Sequence, residues 1–552
     1  PRSESDKKLW AANTAVVEGD LVGDVEYETD RMQFIGRGRN VMSPAAIKRN
    51  KPLSNSTGPV LDPIMSLRIR VRIEPGKTAR ISFITAVSES IEILQELVEK
   101  YSIPESIGSA FRLALTRSQV EARYLNMKNT EIELYQDMIS HIIYNSPLRS
   151  SVKDYIALNK KGQSSLWPYG ISGDLPIVLV VLKRTDEADI VYDILKAHEY
   201  WKTKDLKVDL VIINDEEISY DNPVRSLLHD ILSSSHAHDM LNRPGGVYVL
   251  NKDNLTQEDA ALLYAVSRLV LRGDGGTLAE QIKLPSSVQT VEARPNKGLI
   301  REYDHPAQER SELVYFNELG GFSKDGKEYV IILEKDQNTP LPWINVVSNP
   351  GFGFLVTESG SGYTWCENSR ENKITPWSND PVSDNPGEII YIRDNDTDEL
   401  WTPTQLPLRE TEPYIIRHGF GYTVFEHASH GIKQELLQFV PVDEPVKISI
   451  LKLNNISRYE RDLTLTYYIR PVLGVSDQLT SMHINTRMDE SGILLIENPY
   501  NEEFPGRIAF ISSSKGERSV TGDRREFFGT GGIRCPDALK NQKLSENVGA
   551  GY

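Results

Sequence analysis

Two stretches at opposite ends of this chain carry one motif in one order. The first reads Asp30-Arg-Met-Gln-Phe-Ile-Gly-Arg-Gly-Arg-Asn40, then Ser43-Pro-Ala-Ala-Ile-Lys48, then Leu53-Ser-Asn-Ser-Thr-Gly58. The second reads Asp523-Arg-Arg-Glu-Phe-Phe-Gly-Thr-Gly-Gly-Ile533, then Cys535-Pro-Asp-Ala-Leu-Lys540, then Leu544-Ser-Glu-Asn-Val-Gly549. Both share Asp-Arg, an aromatic, two spaced glycines, Pro-x-Ala-x-Lys and Leu-Ser. The alternative, two loops of similar composition, requires no shared order. A repeat implies two copies of one structural unit. After the first copy, residues 64–71 and 78–87 alternate like strands paired around a Pro75-Gly76 turn, whereas the second copy reaches Tyr552 before any such pair. The expectation is therefore a window from a longer protein, in which the first copy lacks its beginning and the second its end. The charged opening Pro1-Arg-Ser-Glu-Ser-Asp-Lys-Lys8, without an initiator Met, fits that expectation.

Length and charge narrow the classes. At about 100–200 residues per domain, 552 residues predict roughly three domains, and 39% hydrophobic residues exclude global disorder. The formal charge of −16 argues against nucleic-acid binding and polybasic membrane attachment, which need clustered Lys and Arg. Cys366 and Cys535 cannot form a disulfide scaffold or a four-thiolate zinc site, and they suit a reducing, cytoplasmic compartment. The run Leu175-Pro-Ile-Val-Leu-Val-Val-Leu182 is far short of the ~20 residues a spanning helix needs, so no membrane contact is expected from this segment itself.

Texture divides the chain further. Residues 1–88 read as the C-terminal part of a first β-sandwich. Residues 89–164 form a helical spacer, with apolar residues at helical spacing in 91–98, 111–124 and 132–144. Residues 165–285 alternate strand and helix: strands at 177–182, 208–213 and 247–250, helices at 189–201, 224–233 and 257–271. That order predicts parallel strands with right-handed crossovers. The Pro-, Asn- and Arg-rich stretch 285–306 reads as a linker or wrapping arm. Beyond it, strands dominate to the end, and residues 286–552 are expected to form a large antiparallel sandwich. The fold class is multidomain, β-rich α+β.

The densest chemistry lies between Asn349-Pro-Gly-Phe-Gly-Phe354 and Thr375-Pro-Trp-Ser-Asn-Asp-Pro-Val-Ser-Asp384. It sets Tyr363, Trp365 and Trp377 among Asn368, Arg370, Glu371, Asn372, Asn379, Asp380 and Asp384. Sugars are held by such sets: an aromatic face meets the apolar ring face, while amides, carboxylates and guanidinium bond hydroxyl pairs. The competing reading is a structural network that locks two sandwich loops. Asp380 and Asp384 also present the two carboxylates of a glycosidase. His427-Ala-Ser-His430 has zinc-ligand spacing on a helix, but flanking strands favour bond-satisfying histidines at a hairpin, so no metal is expected. Gly273-Asp-Gly-Gly-Thr277 lacks the dinucleotide spacing and no Walker loop is present, so no cofactor is expected. Leu166-Trp-Pro-Tyr-Gly-Ile-Ser-Gly-Asp-Leu-Pro176 reads as a pocket wall or as a tight corner whose Trp167 seals the core.

These residues resemble a known family. Asn349-Pro-Gly-Phe-Gly-Phe354, Gly362-Tyr-Thr-Trp365, Asn368-Ser-Arg-Glu-Asn372 and Thr375-Pro-Trp-Ser-Asn-Asp-Pro-Val382 are similar to the β-sandwich of inverting β-glucoside phosphorylases, glycoside hydrolase family 94. The closer similarity is to the C-terminal half of cyclic β-1,2-glucan synthases, which also have counterparts of 166–176, Arg243-Pro-Gly-Gly-Val247, Gly276-Thr-Leu-Ala-Glu-Gln281 and 417–430. The resemblance covers nearly the whole chain. It implies two super-sandwich domains, the first a C-terminal remnant, separated by a helical and α/β spacer. It also implies that the general-acid Asp sits in an (α/α)-barrel following the second sandwich, and that transferase and transmembrane parts precede Pro1. The catalytic assignment within these residues is accordingly none. The expected role is carbohydrate binding and scaffolding in a β-1,2-glucan synthase or phosphorylase, with Tyr363, Trp365, Asn368, Arg370, Glu371, Trp377 and Asp380 facing a β-glucan oligosaccharide or the barrel. The alternatives are a self-sufficient lectin-like module and a two-carboxylate glycosidase.

Overall fold

A computed structural model describes residues 6–48, 51–217, 222–284, 299–303, 312–514 and 518–549. Most of the 285–306 arm lies outside the described residues. The chain divides into two compact units, the first comprising Pro1–Asn126, Asn338–Leu341 and Asn379–Asp384, the second the remainder.

In the first unit, β1 (Trp10–Glu18), β2 (Glu26–Asp30) and the short helix α1 (Arg31–Ile35) precede β3 (Pro63–Arg68) and β4 (Arg80–Ser88). The alternating runs around Pro75-Gly76 are strands, but they are not each other's partners. β3 pairs antiparallel with β2, and β4 with β1 from Trp10↔Ser88 to Glu18↔Arg80. Alternation marks a strand and its faces; it carries no information about which neighbour supplies the hydrogen bonds. Helix α2 (Ile91–Tyr101) starts where the Ser90 hydroxyl accepts from Ile93 N–H, and it packs on β1 and β4. Pro104 opens α3 (Pro104–Tyr124) at a first-turn position, where its missing N–H costs nothing. None of its 21 residues is buried.

The second unit begins with α4 (Asn129–Ile143) and continues as strand–helix alternation: β5 (Ile177–Leu182), α5 (Asp189–Thr203), β6 (Asp209–Asn214), α6 (Pro223–Ser233), β7 (Val247–Asn251), α7 (Gln257–Val266) and β8 (Ser267–Arg272). The four strands are all parallel, in the order β8-β5-β6-β7. Every residue of β5 and β6 is buried, as central parallel strands covered on both faces require. The single helix expected over 257–271 is corrected: it ends at Val266 and Ser267 starts the strand. Leu-Val-Leu suits a buried strand as well as a helix. The break is held by Arg149, which donates to the carbonyls of Ala265 and Ser267, and by the Ser267 hydroxyl, which donates to Leu263 O at 2.6 Å.

Antiparallel strands follow. β9 (Gly320–Phe322), β10 (Glu328–Leu333), β11 (Ile344–Ser348), β12 (Phe352–Thr357), β13 (Gly362–Cys366), β14 (Glu388–Asp394), β15 (Leu400–Trp401), β16 (Tyr414–Gly419), β17 (Tyr422–Ser429), β18 (Ile432–Phe439), β19 (Ile448–Asn455), β20 (Leu463–Ile469), β21 (Asn485–Met488), β22 (Leu494–Glu497) and β23 (Ile508–Ile511) precede a last short helix, α8 (Arg524–Phe528). A six-stranded sheet, β9-β10-β16-β17-β18-β19, and the three-stranded β11-β12-β13 share a core of Ile331, Leu333, Phe354, Val356, Tyr414 and Ile416. Burying the alternate residues of both sheets removes their apolar faces from water, which is the main drive to close a sandwich. The sheet β15-β14-β20 packs Ile389 and Tyr391 against Phe527, Ala538 and Leu539. The molecule is thus a multidomain α+β protein dominated by antiparallel sheets.

The two motif copies share a short helix capped by the Asp and stopped by a glycine. Asp30 caps α1 by accepting from Met32 N–H at 2.8 Å, and Asp523 caps α8 by accepting from Arg525 N–H at 2.8 Å. Gly36 and Gly529 end these helices at φ 88° and 52°, their N–H groups returning to Met32 O and Arg525 O. A side chain at Gly36 would strike Ala45 Cβ at 2.9 Å, and one at Gly529 would strike the corresponding Asp537. Further on, Asn55 and Glu546 both sit at left-handed φ, donating to Tyr27 O and Val520 O at 3.0 and 2.8 Å.

Candidate functional site

Tyr363 and Trp365 stand two apart on β13, so the pleat puts them on one face. Their ring centroids are 5.2 Å apart, and Trp377, from the following loop, stacks on Tyr363 at 5.4 Å and 20°. Gly353 lies opposite Trp365 on β12, where a Cβ would meet the indole at 2.6 Å; its lack of a side chain makes room for the ring. Tyr363 is 8% exposed and Trp377 46%, so the ledge has a buried root and an open tip.

The adjoining turn is built by asparagines. Asn368 Oδ1 accepts from Arg370 N–H at 2.9 Å and Glu371 N–H at 3.0 Å, and Asn372 Nδ2 donates to Cys366 O at 3.0 Å. Such Asx bonds replace a backbone turn and leave the tip residues outward. Arg370 is accordingly 85% exposed, with Nε 3.0 Å from Glu371 Oε1. Burial pushes the Tyr363 phenol pKa up, with neighbouring Ser369 acting the other way. Tyr363, Trp365, Asn368, Arg370, Glu371 and Trp377 therefore form one group in the second unit.

Asp380 belongs instead to the first unit. Arg31 grips it bidentately, Nη1 to Oδ1 at 2.8 Å and Nη2 to Oδ2 at 2.7 Å, and its carboxylate accepts from Val382 and Ser383 N–H. Burial acts to raise its pKa, but the bonds from Arg31 and the backbone outweigh it and bring the value down to about 2. Asp384 Oδ2 lies 3.2 Å from Arg37 Nη2.

The histidines are structural rather than metal-binding in geometry. His427 is fully buried, stacked on Tyr414 at 3.9 Å, with Nδ1–H donating to Pro413 O at 3.0 Å. His430, at the β17–β18 turn, lies between Glu399 and Glu410, both at 3.2 Å, over Trp401. Among the described residues no group of His, Cys, Asp and Glu is arranged to hold a metal. Trp167 does not seal the core: it is 62% exposed, and Leu166 is the buried residue of that corner.

Sequence reasoning missed Glu388. Its Oε1 accepts from Thr364 at 2.6 Å and Thr375 at 2.8 Å, its Oε2 from Lys447 at 2.8 Å and Tyr467 at 3.2 Å, beside a small cavity also lined by Gln438 and Ser361. Burial raises its pKa, yet Lys447 and the hydroxyls hold it below the usual carboxylate value. No sequence signal could find this group, because its members come from separate strands and loops that only sheet packing brings together.

An open aromatic ledge beside the exposed Arg370 and its partner Glu371, carried on an antiparallel sandwich, is an arrangement suited to polyhydroxylated rings. The chain is 31% identical to the cyclic beta-(1,2)-glucan synthase NdvB of Rhizobium meliloti (strain 1021), over 98% of this chain and 20% of that protein. It is 26% identical to the N,N'-diacetylchitobiose phosphorylase of Vibrio furnissii over 42% of this chain and 30% of that enzyme. Against the solabiose phosphorylase of Paenibacillus borealis the identity is 31%, over 27% of this chain and 20% of that enzyme. The chain thus spans less than a third of the length of each of these relatives. The profile of the glycosyl hydrolase 94 supersandwich domain matches residues 1–104 and 327–552, both flanks of the α/β layer. With the sandwich, its repeated helix-capping motif and this match in agreement, the chain belongs to the glycosyl hydrolase 94 supersandwich family.

Proposed function

We propose that this chain is the β-glucan-binding and scaffolding region of a cytoplasmic enzyme that transfers or phosphorolyses glucosyl units, working with a catalytic (α/α)-barrel outside these residues. The observation that carries the proposal is the Tyr363–Trp377 stack, half open to solvent at Trp377 and with Tyr363 followed in the chain by the turn bearing Arg370 and Glu371. A ring lying on Trp377 would bury its apolar face there, and the Arg370–Glu371 pair would bond adjacent hydroxyls. Asp380 serves as the anchor of its loop through Arg31 rather than as a sugar ligand. That same bond removes Asp380 from the general-acid role of a two-carboxylate hydrolase, since a carboxylate held near pKa 2 stays ionised.

The test is a titration with β-1,2-linked glucan oligosaccharides, followed by tryptophan fluorescence and calorimetry. Trp377→Ala, and Trp365→Ala combined with Arg370→Ala, should each weaken binding by about tenfold or more. Unchanged affinity in both variants would remove the ledge from the reading. Tight binding by this chain alone would favour a lectin-like module over a scaffold that needs its barrel.

A further inference from the structure

The α/β layer lies between the two stretches matched by the family profile, and the aromatic ledge gives it no task. Where it meets the sandwich stands a group of three nitrogen-bearing side chains. Arg149, 2% exposed, donates through Nη1 to Ser267 O and through Nη2 to Ala265 O and Met482 O, the last two at 2.9 Å. Its guanidinium therefore binds the carbonyls immediately preceding Arg268 and His483, which brings all three residues into one neighbourhood. Its Nε is buried without a hydrogen-bond partner among the described residues. Arg268 makes one hydrogen bond, Nη1 to Asn145 Oδ1 at 2.8 Å, and offers its other N–H groups to no described acceptor. His483, 7% exposed, stacks on Tyr500 at 4.0 Å, and its ring nitrogens bond no described residue.

Among the described residues no carboxylate is paired with any of the three. Burial and the neighbouring Arg268 push the Arg149 pKa down to about 9, which still leaves the guanidinium charged at neutral pH. Burial, with both arginines adding to it, holds His483 well below its ordinary value and therefore neutral. Two guanidinium charges that are largely removed from water and lack a counter-charge leave a strong unmet demand for an anion. We propose that Arg268 and His483, backed by the charge of Arg149, bind a small tetrahedral oxyanion, either free phosphate or the phosphate group of a monoester. The guanidinium fork matches paired phosphate oxygens, and a neutral imidazole supplies a further N–H. None of these residues belongs to the sugar ledge.

The probes are inorganic phosphate and methyl phosphate, titrated at constant ionic strength by calorimetry while the His483 imidazole signals are followed by NMR. Saturable one-to-one binding of either probe, with an upward shift of the His483 pKa, is expected. Binding of phosphate with exclusion of methyl phosphate would assign the free ion. Arg268→Gln should weaken binding by about tenfold, the worth of one charge-assisted bond, with an unchanged melting temperature in phosphate-free buffer. Should Arg268→Gln alter folding, His483→Asn provides the second reading. Absence of saturable binding of both probes to the unaltered chain, or wild-type affinity in both variants, would overturn the proposal.

Discussion

At the residue scale, the chemistry is decided by which charges are buried and by what faces them. His427 has its pKa brought down to about 4 by burial, against a carbonyl contact from Pro413 that acts the other way. The unfolded chain protonates near pH 6.5, so between pH 6.5 and 4 it binds a proton that the folded chain refuses. The stability is present in full above pH 6.5 and is lost as pH falls towards 4, by roughly 3 kcal/mol for this group. Denaturant titrations across that window should show the loss, and His427→Gln should reduce it by that share while lowering the plateau. Asp380 follows the same rule: its pKa is depressed to about 2, so its contribution is present above the unfolded carboxylate value and disappears as pH falls through 2. Asp380→Asn should destabilise the first unit by about 1–3 kcal/mol, because the half-buried Arg31 then loses a bidentate partner. Calorimetry of the variant at pH 7 checks this.

At the element scale, the short capped helices α1 and α8 show how a repeated motif reproduces a shape. Both stop at a glycine whose backbone lies in the region closed to side chains, and in both a Cβ would collide with the residue following the Pro of Pro-x-Ala-x-Lys. Gly36→Ala and Gly529→Ala should therefore each cost about 1–3 kcal/mol, through strain and through collision. Separate melting of the two units would place each loss in its own unit. A loss at one site and none at the other would show that the two copies, though both capped and glycine-stopped, do not carry equal weight. The α7–β8 break illustrates the converse: its sequence suits either structure, and a distant guanidinium chooses.

At the scale of the whole molecule, order is unevenly distributed. The parallel strands β5 and β6 are buried at every position, whereas α3 buries no residue and exposes Phe111, Leu113, Leu115 and Val120. A helix without a packed face is held mainly by its own hydrogen bonds, which open by local fraying. Hydrogen exchange followed by mass spectrometry should show α3 exchanging at least about a hundredfold faster than β5 and β6, as a difference of about 3 kcal/mol in opening energy implies. No helix among the described residues is long and apolar enough to cross a membrane.

What the sequence determined by itself is whatever one stretch of chain can express. The strand–helix alternation of 177–266, the sandwich texture beyond it, the repeat at residues 30–58 and 523–549, and the ring spacing of Tyr363 and Trp365 all depend on neighbours within a few residues, where periodicity and turn chemistry operate. Only the tertiary structure decided that β3 and β4 pair with β2 and β1, that Ser267 begins a strand, and that Asp380 answers to Arg31. It alone assembled Glu388 with Lys447, and Arg149 with Arg268 and His483. In each case the decisive partner is remote in the chain, and the energy that selects it, from burial of charge and closure of a sheet, arises only once the layers have packed.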